Sequence, residues 1–243
     1  MISTAFCYSA APRASLVCAG WLARHAPGGA EHPLPRAERV LVVTARPGQE
    51  SADLGALLYT FSRVGARVDL LSLTRGEASG LDATVERLES VRPWELQVAA
   101  QLLGLCSVAV ADYPDGRLSS CELAALTDRV SRAITDQSAD LVLVTDPAEG
   151  GLDEAMAAMA ACEAARAAQV PALARTVSAA RGGWQVDLGD DAPQARAAQR
   201  SAVAAHASQS GALADATYRL TLLGRCEWLR WLVPPARPWP LLP

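Results

Sequence analysis

The chain has 243 residues and a formal net charge of −4, with 51% hydrophobic, 20% charged and 5% aromatic residues. This composition excludes an intrinsically disordered chain, and the acidic balance argues against nucleic-acid binding. All 22 basic residues are arginine, which excludes Schiff-base and P-loop chemistry because both require a lysine.

The six cysteines are spread along the chain without a C-x-x-C pair. Neither a zinc ribbon nor a dense disulfide scaffold is therefore indicated, and we interpret the cysteines as mostly buried thiols. The N-terminal sequence lacks the basic region of a secretory signal, and no segment reaches the length of about 18 apolar residues that a membrane span needs. We expect a cytoplasmic protein.

Regular structure is predicted to start after an irregular arm over residues 1–38. The apolar run Val40–Ala45 is typical of a strand buried on both faces, and apolar residues at helical spacing follow it up to Gly65. The same pair of patterns repeats three times. The further strands are Val68–Leu73, Val108–Ala111 and Leu141–Val144, and the helical regions end near Gly104 or span Glu122–Asp136 and Asp153–Ala168.

Weaker patterns follow Pro171. They predict strands over Ala172–Val177 and Trp184–Leu188, a helix from Pro193 to about Gln209, and one more strand before a tail rich in Trp and Pro. The whole pattern predicts the α/β class, as a Rossmann-like open and mostly parallel sheet with helices on both faces. One domain is expected over residues 39–232, followed by the tail 233–243. The tail could pack on the protein's own core, cover a pocket or join a second subunit, so a homo-oligomer stays open.

Ligands bind beyond the carboxyl ends of the strands in open parallel sheets. Four short, polar loops follow predicted strands there, over residues 46–50, 74–77, 112–117 and 145–151. We expect their side chains, with those opening the next helix, to contact a small polar ligand. These residues are Arg46, Gln49, Glu50, Arg75, Glu77, Asp112, Tyr113, Asp115, Arg117, Asp153 and Glu154.

Several of these segments resemble known motifs. The chain reads RPGQE at 46–50, TRGE at 74–77, YPDGRL at 113–118 and AHASQ at 205–209. In this order and spacing they resemble the PIG-L/LmbE-like family of zinc-dependent N-deacetylases, over roughly residues 39–232. The resemblance implies a Rossmann-like fold with its active site at the carboxyl edge of the sheet.

The sequence departs from the resembled family at its zinc site. The family pattern His-Pro-Asp-Asp-Glu holds two zinc ligands and a general base, and the resemblance places Arg46 and Gln49 at the ligand positions and Gly48 at the base. Its third ligand position is matched by Glu154. Because arginine has no lone pair to offer and no base remains, we expect no bound zinc, no other cofactor and no deacetylase activity.

Arg46 has two interpretations. Its guanidinium could pair with Glu50 or Glu154 and neutralise the former ligand set, or it could contact an anionic ligand. The second loop has two interpretations as well. Arg75 and Glu77 could contact a ligand, or they could form an ion pair that only fixes the loop.

The third and fourth loops leave similar alternatives. Asp115 and Arg117 could be a second loop-fixing pair, and the acids Asp153 and Glu154 are favoured at a helix start whatever their function. His206 is the imidazole that the resemblance places near the active edge, although a histidine packed on the sheet edge is the more common case. The candidate catalytic residues are Glu50, Asp115, Glu154 and His206.

The predicted function is therefore a small-molecule-binding or accessory pseudoenzyme of bacterial specialised metabolism, which has lost the zinc centre. Its expected ligand is small and polar, sugar-like or anionic, and neither nucleic acid nor a membrane is an expected partner. Two alternatives stay open. One is a metal-independent enzyme that uses the same pocket, and the other is a zinc-dependent N-deacetylase or amidase with an unusual set of metal ligands.

Overall fold

The computed structural model describes residues 34–78, 85–177, 182–209, 213 and 224–237. Within these residues the strands are β1 (Arg39–Thr44), β2 (Arg67–Thr74), β3 (Ser107–Tyr113), β4 (Leu141–Thr145), β5 (Ala172–Thr176), β6 (Trp184–Asp187) and β7 (Cys226–Val233). The helices are α1 (Gly55–Arg63), α2 (Val85–Leu103), α3 (Leu123–Gln137), α4 (Leu152–Ala168) and α5 (Ala192–Ala205).

The strands form one sheet in the order β3-β2-β1-β4-β5-β7-β6. Strands β1 to β5 are parallel, and β7 runs antiparallel between β5 and β6. The predicted open and mostly parallel sheet is confirmed. The chain leaves β1 towards β2 on one side, while β4 lies on the other side. The loops after β1 and β4 therefore flank the point where such sheets open a crevice.

The central strands are apolar at successive positions because the sheet is covered on both faces. In β1, Val40 and Val42 pack on one side, whereas Leu41 and Val43 pack on the other. The first face is covered by α1, α2 and α5, and the second by α3 and α4. The carboxyl edge of the sheet is left to the loops.

Most of the buried positions of helix α4 are alanines. Its buried positions include Ala157, Ala158, Ala160, Ala161, Ala164 and Ala165. Because an alanine side chain is a single methyl group, the helix backbone packs near both the sheet and α3. The helix ends at Gln169, which adopts a left-handed conformation with φ +58°.

Two local features differ from the sequence predictions. Residues Glu50–Leu54 form a π-helical turn before α1, a wider turn that apolar spacing does not reveal. The helix predicted to reach Gln209 ends at Ala205 because His206 leaves the helical conformation at φ −82°, ψ 58°, and a 3₁₀ turn follows over Ala207–Gln209. The other strand and helix boundaries lie near their predicted positions.

The expectation of mostly buried thiols is wrong for the described cysteines. Cys162 is buried, Cys121 and Cys226 are half-buried, and Cys106 is exposed because it precedes the edge strand β3. All four are free thiols, while Cys7 and Cys18 lie outside the described residues. Burial raises the pKa of the Cys162 thiol.

Part of the aromatic C-terminal region packs on the protein's own sheet. Trp228 and Trp231 belong to β7, and the Trp231 ring lies 5.7 Å from that of Trp184 in β6. Most of the predicted arm 1–38 and the end of the tail, including Trp239, lie outside the described residues. None of the helices in the described part has the length and apolar character to cross a membrane.

Candidate functional site

The loops after β1, β2, β3 and β4 meet at the carboxyl edge of the sheet, as predicted. One link is an ion pair between the loop after β1 and the first turn of α4, in which Arg46 Nη2 lies 2.5 Å from Glu154 Oε1. The Arg46 side chain is 40% exposed and that of Glu154 10% exposed. Of the two carboxylates expected to pair with Arg46, Glu154 is the one in contact with it, so the guanidinium charge is locally balanced.

Gln49 joins the same loop to the end of β4. Its Oε1 accepts a hydrogen bond from the backbone N–H of Ala45 at 2.9 Å, and its Nε2 donates to Thr145 Oγ1 at 2.7 Å. The side chain is buried. The oxygen and the nitrogen of the Gln49 amide are therefore both hydrogen-bonded within the protein.

Gly48 has a backbone that favours glycine. Its φ is +94°, and a Cβ atom there would lie 3.1 Å from Gln209 Oε1. Any side chain at this position, including a carboxylate, would meet backbone strain and the Gln209 amide. The loop conformation and the nearby Gln209 amide therefore favour glycine at position 48.

Glu50 and His206 form a buried pair. The His206 Nε2 lies 2.8 Å from Glu50 Oε1, and Ser51 Oγ donates to the same oxygen at 2.6 Å. The backbone N–H of Gly48 donates to Oε2 at 2.8 Å. Burial alone raises the pKa of Glu50, but His206 and Ser51 hold it below its ordinary value of 4.5.

This cluster lacks the geometry of a nucleophile and its base. A carboxylate only accepts hydrogen bonds, so the His206 Nε2 that faces Glu50 carries a proton and has no lone pair for the Ser51 hydroxyl 3.2 Å away. Glu50 and His206 are also closed off from solvent. Two of the four candidate catalytic residues thus lie where a ligand does not reach them, and they fix the loop after β1 to the end of α5.

Asp115 organises the loops after β2 and β3. Its carboxylate accepts from the backbone N–H of Ala78 at 2.9 Å and from Thr74 Oγ1 at 3.3 Å. Its own backbone N–H donates to Glu77 Oε1 at 2.9 Å. The suggested ion pairs within single loops are wrong, because Asp115 bonds to the neighbouring loop and Arg75 pairs with Asp112 at 2.5 Å.

Beside this pair lies an open pocket of about 500 Å³. Its lining residues are Arg75, Glu77, Glu89, Asp112 and Tyr113. Four of the five were predicted ligand contacts, and Glu89 of α2 was not. The Tyr113 hydroxyl donates to the carbonyl oxygen of Ala125 at 2.9 Å, which orients the ring against α3.

Asp153 precedes Glu154 in the first turn of α4 and is 5% exposed. Its Oδ1 accepts the backbone N–H of Leu118 at 3.0 Å, while Oδ2 is buried without a hydrogen-bond partner among the described residues. Burial raises the pKa of this carboxyl, against the opposing effect of the backbone hydrogen bonds. Arg117, in the same region, is exposed.

The sequence profile of PIG-L, described as GlcNAc-PI de-N-acetylase, matches residues 41–165, from β1 through most of α4. The chain belongs to the PIG-L family. This confirms the family indicated by the sequence motifs. No curated protein sequence matches this PIG-L family member.

Several solved structures share the PIG-L family member's fold. They include N,N'-diacetylchitobiose deacetylase from Pyrococcus horikoshii, with 17% identity, a TM-score of 0.65 and coverage of 81% of this chain and 84% of that one. A deacetylase of teicoplanin biosynthesis has 15% identity, a TM-score of 0.64 and coverage of 79% and 96%. The 4-carboxy-2-hydroxymuconate hydratase from Pseudomonas putida has 17% identity, a TM-score of 0.60 and coverage of 82% and 98%. At these identities the similarity shows the fold.

The residues at the family's zinc positions do not fit a zinc ion. Arg46 has no lone pair and pairs with Glu154, and both ends of the Gln49 amide are engaged by Ala45 and Thr145. Across the described ranges no three His, Cys, Asp or Glu side chains form a group that could hold a metal ion. Glu154 would be a single donor facing a permanent cation.

Two charged residues of α2 reach the PIG-L site without having been predicted. Arg92 is only 1% exposed, and its Cδ lies 3.2 Å from where a Cβ of Gly76 would be. Burial lowers the pKa of Arg92, while Asp115 and Glu95 oppose that effect. Glu95 accepts from the Ser208 backbone N–H at 2.7 Å and its hydroxyl at 2.6 Å. A signal exists in the sequence: both residues share a helical face with the apolar Leu96 and its neighbours.

An ion pair that the sequence did not predict lies directly after β4, at the same edge of the sheet. The buried Asp146 accepts two hydrogen bonds from Arg230 of β7, at 2.5 and 2.8 Å. Such a two-bond arrangement fixes both side chains firmly. No sequence signal links these residues, because they are 84 positions apart and meet only through the antiparallel placement of β7.

Proposed function

We propose that this PIG-L family member is a pseudoenzyme that binds a small, polar, sugar-like molecule at the carboxyl edge of its sheet and does not hydrolyse it. The observation that carries the proposal is the Arg46–Glu154 ion pair. It joins side chains at two of the positions where the family resemblance implies zinc ligands. A guanidinium at this place gives no coordination bond and repels a divalent ion.

Amide hydrolysis also needs a group that removes a proton from the attacking water. The resemblance assigns that role to position 48, where this chain has glycine. A carboxylate there would strain the positive-φ backbone and would require the Gln209 amide to move aside. The candidate acids and bases nearby do not replace it, because Glu50 and His206 are buried against each other.

The pocket beside Arg75 supports the choice of ligand. Its lining offers a guanidinium as hydrogen-bond donor and the carboxylates of Glu77, Glu89 and Asp112 as acceptors. Three carboxylates against one guanidinium disfavour an anionic ligand and suit the hydroxyl or amino groups of a sugar. The solved neighbour named for N,N'-diacetylchitobiose supports the same class, and the neighbour from teicoplanin biosynthesis supports a role in bacterial specialised metabolism.

The test combines metal analysis with binding. Protein purified without chelator is analysed for zinc and then titrated calorimetrically with glucosamine, N-acetylglucosamine and glucuronate. We expect less than about 0.1 zinc per chain, preference for the neutral or amino sugar, and binding at least about tenfold weaker in Glu77→Gln. Glu163→Gln, on the exposed surface of α4, is the matched control.

Mass spectrometry of the recovered sugar completes the test, and an unchanged mass is expected. One zinc per chain together with chelator-sensitive deacetylation would overturn the proposal. A chemically altered ligand in zinc-free protein would instead support a second candidate, a metal-independent enzyme. That candidate is favoured by one observation, the hydratase among the solved neighbours, since similar folds commonly host different reactions.

A further inference from the structure

We propose that Arg46, Gln49 and Glu154 form a metal-free cross-link that holds the crevice between the loops after β1 and β4, and that this cross-link and a divalent ion exclude one another. The inference rests on the proposed function, in that no zinc occupies these positions. It adds what the substituted side chains do in place of an ion.

The sheet itself does not join the two loops. Strand pairing between β1 and β4 covers Val40 to Val42 opposite Leu141 to Leu143. Beyond these residues the two segments separate, because the chain continues from β1 to β2 on one side and from β4 to β5 on the other. Any contact across the crevice must then come from side chains.

Two such contacts come from the loop after β1. The Arg46 guanidinium reaches the first turn of α4 at Glu154, a contact between residues 108 positions apart. The Gln49 amide reaches Thr145 at the end of β4, and its oxygen is held by the backbone of its own loop. One loop is thereby tied to both elements on the far side of the crevice.

The charges explain why an ion and the cross-link are alternatives. Arg46 and Glu154 neutralise each other, and Glu154 is 10% exposed, so the carboxylate depends on this partner. A dication that took Glu154 as a ligand would have to displace the guanidinium and would then lie beside it. The mutual repulsion of the two cations disfavours that state.

A double-mutant cycle tests the cross-link. Arg46→Met, Glu154→Gln and their combination are compared by thermal unfolding and by hydrogen exchange. We expect Arg46→Met to lower Tm by about 4–8 °C, and the double variant to lose less than the sum of the single variants. Exchange should accelerate over residues 45–52 and 151–156. The exposed pair Glu163 and Arg166, on the same helix α4, provides the matched cycle, with shifts of at most about 2 °C.

A second experiment replaces the cross-link with metal donors, in the variant Arg46→His, Gln49→Asp, Glu154→His. We expect it to take up about one zinc per chain and to lose Tm when the zinc is removed with a chelator, whereas the Tm of the wild type should not respond. If this variant folds with the wild-type circular dichroism spectrum but binds no zinc, the proposal that the cross-link and an ion are alternatives at the same place is refuted. If this variant does not fold, the double-mutant cycle decides.

The outcomes separate the two proposals. Stoichiometric zinc in the wild type would refute the proposed function. A zinc-free wild type in which Arg46→Met changes neither Tm nor exchange would refute the cross-link and leave the proposed function standing.

Discussion

The buried pair of Glu50 and His206 allows a quantitative test of what holds the loop after β1. Glu50→Gln keeps the size of the side chain but replaces one carboxylate oxygen by an NH₂ group. Oε2 accepts from Gly48, and Oε1 accepts from Ser51 and faces His206, so either orientation of the amide places a donor against a donor. The cost combines a lost charge-assisted hydrogen bond with an unsatisfied buried donor, about 2–4 kcal/mol of unfolding free energy.

The effect should depend on pH in a defined direction. The pKa of Glu50 is lower in the folded protein than its ordinary value of 4.5. Folding therefore favours the ionised form of the Glu50 carboxyl. The stabilisation that the ionised carboxylate gives to the folded state is fully present above pH 4.5. It is lost as the pH falls through the folded-state pKa. The stability difference between wild type and Glu50→Gln should be constant at neutral pH and narrow below 4.5.

The assay is urea unfolding followed by circular dichroism, at pH 7 and at a series of values below 4.5. Glu163→Gln serves as the control, because its exposed ion pair with Arg166 contributes at most about 0.5 kcal/mol. A Glu50→Gln variant within about 0.5 kcal/mol of wild type at pH 7 would refute the reasoning. A difference that widens as the pH falls would contradict the direction of the pKa shift.

Three further substitutions are testable by the same urea unfolding. Gly48→Ala should destabilise by about 1–3 kcal/mol, because φ is +94°, and an unchanged midpoint would exclude strain at this position. Gln169→Gly should stabilise by about 0.5–1 kcal/mol, since it relieves a left-handed residue at the end of α4, whereas Ala168→Gly within the helix should cost about 1 kcal/mol. Asp146→Asn should cost about 3–5 kcal/mol by leaving Arg230 without its carboxylate, and a loss below about 1 kcal/mol would show that the pair is not needed.

The centre of the parallel sheet was predictable because its strands β1 and β4 are short, mostly apolar runs that are buried on both faces. Val40–Ala45 is apolar except for the buried Thr44, and Leu141–Val144 is apolar throughout. The observed β1 differs from the predicted limits by one residue at each end, and β4 by one residue at its C-terminal end. The position of β7 between β5 and β6 could not be predicted in the same way. Antiparallel pairing between residues 52 to 61 positions apart leaves no local pattern in the sequence.

The meeting of the four loops at one edge of the sheet was predictable, whereas the side-chain pairings within that edge were not. Strand order places the loops at one edge, but the choice of partner within that edge depends on local geometry. Two carboxylates were candidate partners of Arg46. Glu50 contacts His206 instead, because Glu50 begins a buried π-helical turn. Arg75 likewise reached across to Asp112 rather than to its own loop. Sequence spacing does not resolve such rotations.

The buried charges of α2 illustrate another limit. Arg92 and Glu95 occupy core-facing positions of a helix, where apolar residues are the usual choice. Glu95 is hydrogen-bonded to Ser208, 113 positions away, and the charge of Asp115 opposes the lowering of the Arg92 pKa by burial. Charged residues on an apolar face were the available signal, and only the tertiary structure shows which groups they serve.

Helix α4 carries Glu154 in its first turn and alanines along its buried face. The methyl groups set how far the helix axis stands from the strands, and therefore how far Glu154 stands from the loop it contacts. The reach required of Arg46 thus depends on alanines that lie between one and three turns along the helix from Glu154. A bulkier residue at Ala161 would push the helix away from the sheet and so widen the gap between guanidinium and carboxylate two turns away.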